Sequence, residues 1–193
     1  MGPMGKEDRD DISNYTEFPR KVRNWLGRYG VFEEECNTYG IVYERTKDLL
    51  LLGYRSGTYY TGRYFGDNPK HPRYITGDAG KSNRLITFEP ETNLVDFGVL
   101  VEDYISAIVV GRMYPAVPLF RAHIGVDALK SLYKRFRATV LWLDPDKYAD
   151  ALKLTNRYRS IGFKMGDPIR SETDPKECSQ TQIKNFVEGS MRG

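Results

Sequence analysis

The sequence predicts an α/β fold: a parallel sheet flanked by helices, preceded by a small α+β subdomain rich in basic and aromatic residues. Three observations predict it. From residue 94 onward, short apolar runs alternate with segments of helical periodicity, the rhythm of a parallel sheet with helices on its faces. Between 39 and 90 the apolar runs are short and separated by Gly, Asn, Asp and Pro, as in antiparallel hairpins. The length, 193 residues, suffices for one domain with a true core or for two small subdomains. The expected division is a flexible polar tail over 1–15, the α+β subdomain over 16–93 and the parallel-sheet domain over 94–190.

The elements follow in order. Residues 18–35, "FPRKVRNWLGRYGVFEEE", form an amphipathic helix with Val22, Trp25 and Leu26 on its apolar side, closed by Gly27 or Gly30. The runs "GIVYE", "LLLLGY", "TYYTGRYF" and "RLITFEP" are strands. "LVDFGVLVED" is a buried strand ending in acids, and 103–113 is a helix. "PAVPLF" is a short strand. "VDALKSLYKRF" places Val126, Leu129, Leu132, Tyr133 and Phe136 on one side of a helix. "ATVLWLD" is a second buried strand, 147–160 a helix, "IGFKMGDPIR" a fourth strand and 179–188 the last helix.

Composition narrows the function. Net charge is only +3, so gross electrostatics do not point to nucleic acid. Charge is nevertheless uneven: within 55–84, Arg55, Arg63, Lys70, Arg73, Lys81 and Arg84 face only Asp67 and Asp78. Cys36, Cys178, His71 and His123 are the only cysteines and histidines, and no two have zinc-ligand spacing, so no zinc is expected. The longest apolar run, "LLLLG", is too short to cross a bilayer, and the first residues lack a signal-peptide core. A cytoplasmic protein without membrane contact is expected.

Ligands of open parallel sheets collect beyond the carboxyl ends of the strands. Glu102, Asp144 and Asp146 are all expected there. Clustered carboxylates repel one another unless a cation lies between them. Magnesium, or manganese, is a natural choice: a hard ion held by one or two carboxylates plus waters and phosphates. The same motif has a purely structural reading. In "DPD", Asp144 can cap a helix with Pro145 in its first turn. In "TDPKE", Asp174 and Glu177 can form a capping box, and Asp103 can cap the helix after Glu102.

"LVEDYISAI", then "TVLWLDPDKYADAL" some forty residues on, then "SETDPKE", together resemble the Toprim domain over about 94–188. That fold is shared by primases, type IA and II topoisomerases, some nucleases and recombination proteins. Its Glu matches Glu102, and its Asp-x-Asp matches Asp144 and Asp146. The preceding "SGTYYTGRYFGDNPKHPRY" is similar to the basic subdomain of bacterial and phage DNA primases. Arg63 matches a family Arg, and Arg73-Tyr74 stands where the family tends to have Lys-Tyr. The chain departs from the pattern in three places. Asp103 replaces a Gly and Ser106 replaces an Asp, which removes one potential metal ligand. "LFRAHIG" lacks the usual small residues, and His123 within it reads as a loop or packing histidine. The zinc ribbon of many primases is missing.

The resemblance implies a magnesium-dependent primase, a nucleotidyltransferase making short RNA primers on single-stranded DNA. Glu102, Asp144 and Asp146 would be catalytic and metal-binding. Arg63, Lys70, Arg73 and Tyr74 would hold template and ribonucleoside triphosphates, cations on phosphates and aromatic faces on bases. On the strand around Arg63, alternation sets Tyr59, Thr61, Arg63 and Phe65 on one face, the candidate surface, and Tyr60, Gly62 and Tyr64 on the other. A solvated charged strand is the structural reading of the same residues. The implied partners are a replicative helicase or a separate template-recognition protein. Two other functions fit the motif: a Toprim nuclease, and a non-catalytic DNA-binding replication or recombination factor, which Ser106 favours.

Overall fold

A computed structural model of the chain describes residues 11–53, 59–78, 85–119 and 125–192. The chain divides into two compact units, Met1–Asn83 and Arg84–Gly193. The break falls ten residues before the expected one, because Phe88 already belongs to the second unit. Its backbone exchanges two hydrogen bonds with Ala116, at 2.8 and 2.7 Å. No helix among the described residues is long and apolar enough to cross a membrane.

The first unit is an antiparallel meander of five strands, ordered β1-β2-β3-β4-β5: β1 Ile12–Ser13, β2 Val42–Glu44, β3 Leu49–Leu52, β4 Tyr59–Tyr64 and β5 Tyr74–Asp78. Two helices, α1 Arg20–Gly27 and α2 Glu33–Thr38, lie between β1 and β2 in sequence. The expected tail therefore ends earlier than 15: Ile12 and Ser13 pair with β2, and Ser13 is buried. The single helix expected over 18–35 is two helices. Gly30, at a φ of 67°, turns the chain between them. Val22, Trp25 and Leu26 are buried as the periodicity required.

All four leucines of β3 are buried, which needs both faces of the sheet covered. On one face Val42, Leu49 and Leu51 cluster with Ile12, Tyr60, Tyr64 and Ile75. On the other lie Tyr43, Leu50 and Arg63. There Phe18 packs on Tyr43 and the Trp25 ring lies under Arg63. β5 was not expected. "RLITFEP" was expected as a strand; its described residues, 85–90, are irregular apart from the Phe88 bridge.

The second unit holds three parallel strands, β6 Phe97–Val101, β7 Ala116–Pro118 and β8 Ala138–Trp142, in the order β7-β6-β8. Helices α3 Tyr104–Gly111, α4 Val126–Tyr133, α5 Tyr148–Ser160 and α6 Gln180–Met191 follow as the periodicity predicts. β6 is central and buried on both faces, hence its unbroken apolar run. The core joins Leu100, Val117, Leu129, Leu132, Phe136, Leu141 and Leu143. α3 is buried along its whole length, in keeping with a helix that is apolar all round.

The expected fourth strand is reduced to one parallel bridge, Thr139 to Met165. Gly166 and Ile169 still donate to the carbonyls of Thr139 and Leu141, each at 2.9 Å. Pro168, lying between them, has no N–H to continue a ladder.

Gly111 ends α3 against the Phe88 backbone. A Cβ there would stand 2.6 Å from the Phe88 Cβ and 3.2 Å from its carbonyl carbon. Gly111→Ala is expected to lose about 1–3 kcal/mol of stability, because backbone rather than a pliant side chain must move. Urea denaturation of the two proteins checks this; an unchanged midpoint would mean that Phe88 shifts freely.

Candidate active site

Val101 of β6 and Trp142 of β8 are register partners in adjacent parallel strands. Glu102 follows the first directly, and Asp144 comes two residues after the second. Both side chains therefore leave the sheet at its carboxyl edge, as the sequence predicts. Glu102 is 16% exposed and one of its oxygens, Oε1, accepts from the Lys147 ammonium. Its other oxygen, Oε2, is buried without a hydrogen-bond partner, and so is Asp144 Oδ1. Buried carboxylate oxygens left without a donor are costly.

Electrostatics express that cost. The Asp144 carboxyl is pushed up from 3.8 to about 7, first by burial, then by the charges of Glu102, Asp174 and Asp103, with Lys176 opposing them. The Lys147 ammonium is held above its usual range, chiefly by its hydrogen bond to Glu102.

A second group of residues adjoins Asp144. Asp103 caps α3 as expected, its Oδ1 accepting from the Ser106 N–H at 2.9 Å. The Ser106 hydroxyl donates to Asp103 Oδ2 at 2.7 Å. Lys176 donates to the same Oδ2 at 3.3 Å and stands 3.2 Å from Asp174 Oδ2. Burial works against the charge of Lys176, but the fields of Asp103 and Asp174 outweigh it and raise its pKa. Ser106 is fully buried and locks the carboxylate three residues earlier.

The capping alternatives resolve differently from one another. Asp144 occupies the N-cap position of a short 3-10 turn, Pro145–Lys147, yet its side chain makes no capping bond. Asp174 likewise makes none, so the capping box expected with Glu177 does not form. The box belongs instead to Ser179 and Gln182, at the start of α6. Asp146 does not join Glu102 and Asp144. It is exposed, and among the described residues no three His, Cys, Asp or Glu side chains are gathered to hold one ion. Sequence reasoning missed Lys147, Lys176 and the electrostatic part of Asp174. The second Asp-Pro, in "SETDPKE", was the available signal, since it repeats the Asp-Pro of Asp144.

The segment bearing Asp174 is positioned from within the core. The buried Trp142 indole donates to Ser171 Oγ at 2.9 Å, and Ser171 Oγ donates to the Thr173 carbonyl at 2.7 Å.

In the first unit, Arg63 is not the open phosphate ligand that strand alternation suggested. Its guanidinium lies 4.5 Å from the Trp25 ring centre, 5.0 Å from Phe65 and 5.1 Å from Tyr74. It also donates to the Tyr74 hydroxyl at 2.7 Å, while its Nε is buried and unpaired. The face carrying Arg63 is the one that α1 covers, so the correction comes from helix packing and not from the strand. Lys70, Arg73 and Tyr74 are exposed. His71 stacks on Tyr64 with ring centres 3.9 Å apart. A second basic and aromatic surface was not foreseen: an open hollow of about 580 Å³ lined by Tyr15, Arg20, Arg23, Asn24, Gly27 and Phe32. Arg55, Lys81, Arg84 and His123 lie outside the described residues.

No family model and no curated protein matches the sequence. Among solved structures, the catalytic core of DnaG superposes over 88% of this chain with a TM-score of 0.54, at 17% identity. The fold is that of the DnaG catalytic core. The chain spans 63% of that core's length. The Aquifex aeolicus primase, a structure of its zinc-binding and RNA polymerase domains, matches 94% of this chain and 49% of its own at 16% identity, with a TM-score of 0.49. The likeness to the DnaG core extends to a mixed α/β unit with a three-stranded parallel sheet and a separate antiparallel sheet.

Proposed function

We propose that this chain is the polymerase core of a DNA primase of phage type, joining ribonucleotides on a single-stranded DNA template. The observation that carries the reading is the pair of buried, unpartnered oxygens, Glu102 Oε2 and Asp144 Oδ1, at the ends of adjacent strands on a fold like the DnaG core. These residues fit magnesium or manganese, ions that bind one or two carboxylates and take their remaining oxygens from water and phosphate. When bound, such an ion would neutralise phosphate charge and stabilise the attacking and leaving oxygens of phosphoryl transfer. Glu102 and Asp144 would hold it. Asp146, exposed on the following turn, would act on it through its charge. Lys147 would be released from Glu102 when an ion binds, leaving an ammonium beside incoming phosphates. No protein nucleophile is needed, since the attacking group is a nucleotide 3′-hydroxyl.

Lys70, Arg73 and Tyr74 would engage template or nucleotide, with ribonucleoside triphosphates as substrates and a helicase or template-recognition protein as partner. Arg73→Ala is expected to weaken binding to single-stranded DNA and to flatten its log–log salt slope by about 0.7, without a change in melting temperature. Arg63→Ala should instead lower the melting temperature and leave the salt slope unchanged, because it empties an aromatic cage whose cation–π contacts contribute about 1 kcal/mol or more. Fluorescence anisotropy at several salt concentrations, beside thermal melts, separates the two. An unchanged slope in Arg73→Ala would make this strand pair a scaffold only.

The reading is tested by incubating the chain with single-stranded DNA, labelled ribonucleotides and magnesium or manganese, then resolving products on a sequencing gel. Short RNA products are expected. Shortened DNA would make it a nuclease using the same carboxylates. Neither product, with DNA binding retained, would favour a non-catalytic binding factor. That second reading draws on one observation, the Lys147 ammonium already seated on Glu102.

A further inference from the structure

The acidic residues at the carboxyl edge of the parallel sheet fall into an open half and a closed half. Glu102 Oε2 and Asp144 Oδ1 are buried and unpartnered, and form the open half. Asp103 and Asp174 form the closed half. Both Asp103 oxygens are engaged, Oδ1 by the Ser106 N–H and Oδ2 by the Ser106 hydroxyl and Lys176. Asp174 Oδ2 lies 3.2 Å from the same ammonium. Lys176 is only 16% exposed, so solvent screens these contacts weakly.

We infer that Lys176 is a permanent internal cation that takes the place of a second metal ion, so that the site binds one divalent cation and not two. The inference rests on the reading that Glu102 and Asp144 hold a divalent ion. Three features of this chain support it together. The buried Ser106 donates from both its N–H and its hydroxyl to Asp103, fixing that carboxylate from within α3. Asp103 Oδ2 is taken twice, by the Ser106 hydroxyl and by Lys176, so the ammonium fills the position a second ion would need. Lys176 already neutralises the pair that a second ion would have to bridge, and a dication entering there would meet an ammonium at contact distance. Lys176 is in this sense a positioning residue: it fixes Asp103 and Asp174 and only tempers the field that the neighbouring carboxylates set at Asp144, without touching substrate.

Manganese alone, counted by electron paramagnetic resonance of the free ion during titration of the full chain, tests the inference without requiring activity. The parent chain is expected to bind one ion. Lys176→Gln removes the charge, leaves Asp103 and Asp174 unneutralised, and is expected to bind two. Lys176→Arg keeps the charge and is expected to bind one. Two ions in the parent would overturn the inference, and that count needs no folded variant. One ion in both the parent and folded Lys176→Gln would overturn the inference while leaving the metal site at Glu102 and Asp144 standing. No bound ion in the parent would overturn that metal site, and the inference with it.

Discussion

Asp144→Asn is expected to raise the melting temperature of the metal-free chain at pH 8 while abolishing primer synthesis. In the unfolded chain this carboxyl releases its proton near 3.8; in the folded chain it does so near 7. Between those values the folded state binds more protons than the unfolded state. Stability therefore falls as pH climbs from about 4 to about 7, and the loss persists above that. The full displacement from 3.8 to about 7 corresponds to roughly 4 kcal/mol. Partial exposure of the group brings the expected gain from Asn down to about 1–2 kcal/mol. That corresponds to several degrees in melting temperature. The gain should vanish near pH 4, where the parent is protonated too. Manganese should stabilise the parent by mass action and leave the variant unmoved. Thermal melts at pH 4 and pH 8, with and without the ion, check all three parts. A variant less stable than its parent at pH 8 would mean that Asp144 serves the fold after all.

Trp142→Ala is expected to be the most damaging core substitution, at about 3–5 kcal/mol. The side chain is fully buried, packs against Phe186 of α6 and hydrogen-bonds Ser171. Trp142→Phe keeps most of the volume and loses the indole donor, for about 1 kcal/mol. Because Ser171 in turn holds the Thr173 carbonyl, the milder variant should also loosen the segment carrying Asp174. Hydrogen exchange at 171–178 would then quicken in Trp142→Phe by more than the global loss of stability explains. Uniform exchange across the second unit would confine the indole to a packing role.

The second unit was largely legible because its elements declare themselves locally. The apolar run 97–101 and the eight-residue α3 owe their pattern to burial on all sides, and the carboxylates that follow β6 and β8 stand out by contrast. Features that depend on distant partners were not legible. Arg63 reads as a surface cation on any strand pattern, since Trp25 beneath it belongs to another helix. Lys176 lies 73 residues from Asp103, and no spacing rule joins them. β5 is hidden because "YITGD" has only Tyr74 and Ile75 as apolar residues before Thr, Gly and Asp, too short an alternation to mark a strand. The fourth strand failed for a local reason in plain view, Pro168.

The order β7-β6-β8 places the first strand of the second unit at its centre, with later strands added on either side. A growing chain of that topology cannot finish its sheet edge by edge. β6 must wait for β8 before Glu102 meets Asp144, and both must wait for residue 176 before their neighbours acquire a counter-charge. The acidic edge is thus built from residues distant in sequence, the class of contact that slows folding most. A chain ending before Lys176 would set Asp103 near Asp144 with Lys147 as the remaining ammonium, and that one is already seated on Glu102.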